Sequence, residues 1–456
     1  MGSLAVVVLA AGKGTRMKSE LVKVLHPLAG TPMLSYTLDL ARSFRPERLV
    51  VVVGFQSDLV REKFKGDDLL FALQEKQLGT GHAILAATPA LRDFQGKVLI
   101  LSGDVPLLTE GTIRKFLQAH EERRATLSVL TTKLDDPRGY GRVFRGAESS
   151  LLRIVEDRDL QPGEKNTREI NTGIYCVDVQ FLFSALSSLS NQNAQKEYYL
   201  TDIVRLAKSQ NKRAFPVLAD DPMEVMGINT RVELARANQC IRKKIAEEHM
   251  LEGVTLIDPE TAYIDRGVKI GRDTVIYPSC YLLGRTSLGM GCVVELGCKI
   301  TDTQVGNFVN IKASSVIEES VIEDRVDVGP LAHLRPQNVL REGSRIGNFV
   351  EVKKSVIGKG TKANHLTYIG DATLGEKVNV GAGTIFCNYD GRKKHLTVIE
   401  DGVFIGSNTE LVAPVKVGHH SVIGAGSTIT KEVPPETLAV ARAKQVHYKK
   451  RSKPEG

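Results

Sequence analysis

A chain of 456 residues is too long for one ordinary hydrophobic core, and a composition of 42% hydrophobic and 25% charged residues excludes disorder in favour of two or three soluble globular domains. A net charge of +8 would suit nucleic acid, but aromatic residues make up only 5% and Trp is absent. That argues against base-stacking platforms and in favour of phosphorylated small molecules. No apolar run reaches the length of a membrane span, the first lacks a basic flank and a cleavage site, and Val6 stands where a myristoylation signal wants Ser or Thr. A cytoplasmic protein with no membrane contact is expected. The six cysteines (Cys176, Cys240, Cys280, Cys292, Cys298, Cys387) lack the paired short spacings of a zinc site and read as reduced, buried thiols.

From residue 1 to about 229, short β-branched runs alternate with amphipathic segments, the pattern of a parallel sheet with helices on its faces. Leu4–Leu9, Arg48–Val53, Lys97–Leu101 and Ala125–Thr131 read as strands. The first runs into Leu9-Ala-Ala-Gly-Lys-Gly-Thr-Arg-Met17. Gly12 and Gly14 permit a sharp turn there, and its N–H groups, helped by Lys13 and Arg16, suit phosphate oxygens. It matches neither a P-loop nor a dinucleotide fingerprint, so by itself it is either a strand-to-helix turn or an anion site. Ligands collect at the carboxyl ends of strands in such sheets. Asp104, in Ser102-Gly-Asp-Val-Pro106 after the third run, is therefore either a turn carboxylate or a hard ligand for a cation beside phosphates. Three more polar clusters follow the same logic: Gln74 to His82, Gly139-Tyr-Gly-Arg142, and Glu169-Ile-Asn-Thr-Gly173.

Taken in order, Leu9 to Met17, Lys23-Val-Leu, Gln77-Leu-Gly-Thr-Gly-His82, Gly103-Asp-Val-Pro106 and Glu169 to Gly173 resemble the motifs of sugar-1-phosphate nucleotidyltransferases. The likeness is closest to the bifunctional bacterial uridyltransferase/acetyltransferase family and runs over nearly the whole chain. The resemblance implies a Rossmann-like α/β domain over residues 1–229. In it Leu9, Ala10, Ala11, Gly12 and Lys23 would meet the nucleotide and phosphates of UTP, Gln74, Gly79 and Thr80 its uracil, and Gly141, Glu156 and Asn171 the sugar of N-acetylglucosamine 1-phosphate. Asp104 and Asn229 would hold Mg²⁺. Val22 departs from the family, which usually has Pro before the lysine.

Thr230-Arg-Val-Glu233 is a capping box opening a linker helix over 230–251. From about Ile257 to 434 the period becomes six, as in Ile270-Gly-Arg-Asp-Thr-Val, Val305-Gly-Asn-Phe-Val-Asn, Ile346-Gly-Asn-Phe-Val-Glu and Ile405-Gly-Ser-Asn-Thr-Glu. An aliphatic residue every sixth position, usually followed by Gly, predicts a parallel β-helix whose three hexads make one triangular coil. The polar stretch Phe386 to His395 breaks the rhythm and must loop outward. Similarity to hexapeptide acyltransferases implies that the domain 252–456 is left-handed and forms a homotrimer with active sites between coils. His365 would then be the base that takes the amine proton of glucosamine 1-phosphate, with Glu351 as a candidate to orient it. Arg335, Lys353, Tyr368 and Asn379 would hold that sugar phosphate. Ala382, Asn388, Tyr389, Ser407, Ala425 and Arg442 would line the acetyl-CoA side. The basic tail (Lys444, Lys449, Lys450, Arg451) reads as solvated. The reading is thus a two-activity enzyme; the alternative is a single sugar nucleotidyltransferase whose β-helix serves assembly or regulation.

Overall fold

The computed structural model describes residues 3–146 and 150–450, and the chain divides into two compact units, 1–241 and 242–456. The division falls inside the helix Arg231–Leu251. That helix starts as its sequence requires: Glu233 N donates to Thr230 Oγ1 at 3.2 Å, and the Glu233 carboxylate accepts from the amides of Thr230 and Asn229 at 2.8 and 2.7 Å.

In the first unit the main sheet runs, in spatial order, Ala214–Leu218, Leu127–Lys133, Glu169–Asp178, Lys97–Ser102, Leu4–Leu9, Arg48–Val53 and Leu69–Leu73. Both faces are covered. Ala5 and Val7 join one buried cluster while Val6 and Val8 join the other, which is why the strand is apolar without alternation. The expectation of a parallel sheet needs one correction: Glu169–Asp178 is antiparallel to both neighbours. The chain leaves Leu127–Lys133 at the carboxyl edge, makes the hairpin Arg142–Arg145 with Leu151–Val155 there, and re-enters from that edge. The start of Glu169–Asp178 is thereby delivered to the ends of Leu4–Leu9 and Lys97–Ser102. A register shift between Asn171 and Tyr175 marks a bulge at that point.

The second unit is a parallel β-helix of three sheets with 11, 10 and 9 strands, visited in rotation from Thr255–Leu256 to Leu438–Ala439. The hexad aliphatics stack in register along each face, as in Ile276 on Val294, Val294 on Ile311 and Val328 on Ile346, all essentially fully buried. Where glycine follows such an aliphatic, as Gly347 follows Ile346, the neighbouring coil imposes it: a Cβ on Gly347 would lie 1.9 Å from the Asn364 carbonyl oxygen. The chain from Ala441 to Lys450 is exposed and without regular structure, and Arg451 lies outside the described residues. All six cysteines are free, but Cys240 is exposed and Cys387 half-buried, so the expectation of burial holds for the other four only.

Candidate functional site

The glycine turn leaves the first strand pinned on both sides, by Ala10 N to Val52 O and Gly103 N to Leu9 O, each 2.9 Å. It leads into a single 3₁₀ turn, Thr15–Met17, and not into an α-helix, so no helix macrodipole stands behind it. Gly14 has φ +66°, and a Cβ there would fall 2.7 Å from that of Lys23, so the turn closes directly over the lysine.

Two adjoining cavities open at this sheet edge. One, of about 290 Å³, is lined by Leu9, Ala10, Ala11, Gly12, Lys23, Gln74, Gly79, Thr80 and Asp104. The other, of about 210 Å³, is lined by Gly141, Glu156, Asn171 and Asn229, and shares Leu9, Thr80, Ser102 and Asp104 with the first. The residues that the resemblance assigns in this half therefore lie on one continuous depression, whereas Lys13 and Arg16 are not among its lining residues. Gln77, Glu197, Tyr175 and Thr201 also line it. Glu197 and Thr201 went unread because Glu197-Tyr-Tyr-Leu-Thr201 is a short run before the helix Asp202–Ser209 with no glycine signal, and Tyr175 because it lies inside the largely apolar strand Glu169–Asp178.

Buried Gln74 donates to Gly79 O at 3.0 Å, bracing the loop whose Thr80 Oγ1 accepts from Leu200 N at 3.1 Å. Asn171 donates to Tyr175 Oη at 2.8 Å and accepts from Gly173 N at 3.0 Å across the bulge. Glu156 accepts from Thr201 Oγ1 at 3.0 Å, and burial raises its carboxyl above the ordinary glutamate range. The Lys23 ammonium forms an ion pair with Asp104 and donates to Asn229 Oδ1 at 3.0 Å. Two hard oxygens from distant parts of the chain thus converge on one positive charge. Among the described residues no group of three or more His, Cys, Asp or Glu side chains is arranged to hold a metal.

In the second unit, strand register organises the candidates into columns. Ala363 stacks on Val380, Val380 on Ile405 and Ile405 on Ile423. The residues two positions further on, His365, Ala382, Ser407 and Ala425, therefore occupy one corner column, with Asn348 paired below His365. Asn408 N donates to Ala382 O, and Arg442 reaches back to Ala425 O at 2.5 Å. The next corner position carries Leu331, Phe349 and Leu366, all with positive φ and 49%, 54% and 60% exposed. Large apolar side chains on left-handed backbone, facing solvent, form an uncovered ridge beside His365.

A polar cluster lies past that corner. Lys353 approaches Asp371 at 3.8 Å, Asn388 donates to Asp371 Oδ2 at 2.5 Å, and Tyr368 Oη is 3.4 Å from Asn388 Nδ2. The neighbouring Lys394, followed by desolvation, holds the Lys353 ammonium below the ordinary lysine range, against the pull of Asp371. Arg335 stands one coil from Lys353 on the same face. The outward loop is braced from within: His395 Nε2 lies 2.6 Å from Asp390 Oδ2, and Asp390 accepts from the amides of Arg392 and Lys393 at 2.8 Å each. That hold, led by His395, pulls the Asp390 carboxyl to about 2. Tyr389 on this loop is exposed.

One expectation fails. Glu351 pairs with Arg335 at 3.1 Å, and the orienting partner of His365 is Asn348, whose Oδ1 is 2.7 Å from Nδ1. The reason is the corner of the coil: Glu351 lies on the second face, past the corner from His365, whereas Asn348 is the register partner of His365 on the first. Within one chain His365 and Asn379 belong to the first face, whereas Lys353 and Tyr368 belong to the second.

Comparisons with known proteins match a stretch of each unit. A MobA-like NTP transferase domain matches residues 6–168, and a bacterial transferase hexapeptide model of six repeats matches residues 396–431. The bifunctional protein GlmU of Geotalea uraniireducens (strain Rf4) is 52% identical over 450 residues, covering 98% of each chain. Its counterpart from Geotalea daltonii is 54% identical over 450 residues, again 98% of each. That of Pelobacter propionicus is 51% identical over 448 residues, 98% of this chain and 97% of the relative.

Proposed function

The chain belongs to the bifunctional GlmU family, and from that premise we infer how its two units divide two transfer reactions. The β-helix acetylates glucosamine 1-phosphate with acetyl-CoA. The nucleotidyltransferase unit then joins N-acetylglucosamine 1-phosphate to UMP from UTP, giving UDP-N-acetylglucosamine and pyrophosphate. A cytoplasmic location is proposed with this reading, supported by the charged, water-soluble substrates of both steps. No described helix is long and apolar enough to cross a membrane.

In uridyl transfer the sugar phosphate is already an ionised nucleophile. Its oxygen attacks the α-phosphorus of UTP while the bond to the departing pyrophosphate breaks, so alignment and charge neutralisation are what the site must supply. The amides of Leu9 to Gly12 and the Lys23 ammonium are assigned to the phosphates. Gln74, Gly79 and Thr80 are assigned to uracil, and Gly141, Glu156 and Asn171 to the sugar. Asp104 and Asn229 already share a cation through their oxygens, a donor set that fits Mg²⁺ completed by phosphate and water ligands. When bound, that ion would neutralise triphosphate charge.

In acetyl transfer the amine nitrogen attacks the thioester carbonyl, the C–N bond forms as the C–S bond breaks, and CoA leaves as its thiolate. Asn348 Oδ1 can only accept, so the proton of His365 rests on Nδ1 and Nε2 is open to receive the amine proton. Arg335, Lys353, Tyr368 and Asn379 are assigned to glucosamine 1-phosphate, with the cations meeting its phosphate. Ala382, Asn388, Tyr389, Ser407, Ala425 and Arg442 are assigned to acetyl-CoA. The observation that carries this reading is the column in which His365 stands directly below Ala382, Ser407 and Ala425. A homotrimer is proposed because the sugar-phosphate set is split over two faces and the Leu331–Phe349–Leu366 ridge is uncovered in the single chain.

The test is to incubate the purified protein with acetyl-CoA and glucosamine 1-phosphate, then add UTP and Mg²⁺. Free thiol should appear first and pyrophosphate second, and sedimentation should give three copies. Pyrophosphate from added N-acetylglucosamine 1-phosphate without any thiol release would reduce the β-helix to a scaffold.

A further inference from the structure

The departure at Val22 is matched by a contact that a proline could not make. Val22 is fully buried, with φ −56° and ψ 138°, and its N–H donates to Gln56 Oε1 at 2.8 Å. The other end of the same amide, Gln56 Nε2, donates to Glu20 O at 2.9 Å. One side chain therefore clips the backbone at Glu20, three residues before the segment Lys23–Leu25, and again at Val22, immediately before it. Gln56 itself sits at φ 54°, ψ 39°, the left-handed region, where it precedes the helix Ser57–Lys63 and follows the end of the strand Arg48–Val53. A non-glycine residue held there is uncommon and needs its surroundings to fix it.

Lys23 is the residue whose placement depends on this clip. It lies next in the chain to Val22, packs under Gly14, and delivers its ammonium to Asp104 and Asn229. Where the family usually has proline, the ring alone fixes φ near the value Val22 adopts, about −65°. Here the amide of Gln56 supplies the restraint from outside the segment.

We propose that Gln56 is a positioning residue for uridyl transfer, replacing the conformational restriction of a proline by holding Glu20 O and Val22 N and so fixing the approach of Lys23. Gln56 is not among the residues that line either cavity, and the hydrogen bonds of its amide go to Glu20 O and Val22 N. The proposal rests on the uridyl-transfer reading of the first unit, and its test separates the two.

Gln56→Ala should lower kcat/KM for pyrophosphate release roughly tenfold, within the range that small misplacements of a positioning group produce. Thiol release by the second unit should be unchanged, and deuterium uptake of the peptide containing Val22 should rise. Adding Val22→Pro to Gln56→Ala should restore uridyl transfer to within about twofold of wild type, because the ring restores the restriction without needing an acceptor. Wild-type uridyl transfer in Gln56→Ala overturns the proposal, as does a loss that Val22→Pro does not recover although Val22→Pro alone is active. If Val22→Pro alone is inactive, the exchange measurement decides: unchanged uptake around Val22 in Gln56→Ala overturns it. An unmodified protein that releases no pyrophosphate would instead sink the functional reading, and the exchange measurement would still report on the clip.

Discussion

His365 Nδ1 lies 2.7 Å from the Oδ1 of Asn348, its register partner one coil below. Because an amide oxygen cannot donate, this contact fixes the tautomer as well as the ring plane. His365→Ala should reduce thiol release from acetyl-CoA by about 10²- to 10⁴-fold, the ordinary worth of a positioned base. Asn348→Ala should cost roughly tenfold through loss of orientation. Asn348→Asp tests the electrostatic part: a carboxylate beside the ring stabilises imidazolium, so the acid limb of the pH–rate profile should move to higher pH. An Asn348→Ala enzyme with wild-type rate and an unmoved profile would remove Asn348 from the mechanism.

Asp104 and Asn229 share the Lys23 ammonium, so removing the carboxylate takes away both a proposed metal ligand and the lysine's counter-ion. Asp104→Ala should abolish pyrophosphate release at any Mg²⁺ concentration, while thermal unfolding and acetyl transfer stay near wild type. Activity recovered at saturating Mg²⁺ would show that the ion is held elsewhere.

The period-six aliphatics made the coil legible, because each one states that its residue points inward. The glycine turn, Asp104 and Asn171 were legible because strand ends in an α/β sheet gather ligands. The antiparallel strand Glu169–Asp178 was not, since apolar strands buried on both faces read alike in either direction. Nor was the pairing of Asn348 with His365. The two are 17 residues apart, and their contact exists only once the coil closes. Ser407 stands 25 residues after Ala382 in the same column, because the loop around Asp390 is inserted in that coil. Fixed spacing therefore fails at the place where the candidate acetyl-CoA residues collect.

Lys353 is held below the ordinary lysine range chiefly by Lys394. Its ammonium is assigned to the phosphate of glucosamine 1-phosphate, so affinity should fall as pH rises through that lowered value. Lys394→Met removes the largest cause and lets the Lys353 ammonium persist to higher pH. The alkaline limb of kcat/KM for glucosamine 1-phosphate should shift upward, even though loss of one cation raises KM a few-fold at neutral pH. A limb that stays in place would mean that Lys353 does not set it.

Glu156 tests whether function has been kept at the expense of stability. Burial raises its carboxyl above the ordinary value of 4.5, so the folded state binds the proton more tightly than the unfolded chain does. The stabilising contribution of this group is fully present below that ordinary value and is lost as pH rises through the folded value, leaving a half-buried charge at neutral pH. Glu156→Gln can still accept from Thr201 but carries no charge. At pH 7.5 the unfolding transition of the first unit should therefore move to higher temperature in the variant, and the difference should disappear toward pH 4. The same substitution weakens acceptance of sugar hydroxyl protons, so KM for N-acetylglucosamine 1-phosphate should rise roughly tenfold, consistent with the loss of a charge-assisted hydrogen bond. A variant that is less stable at pH 7.5, or whose KM is unchanged, would show that Glu156 braces Thr201 and does not read the sugar.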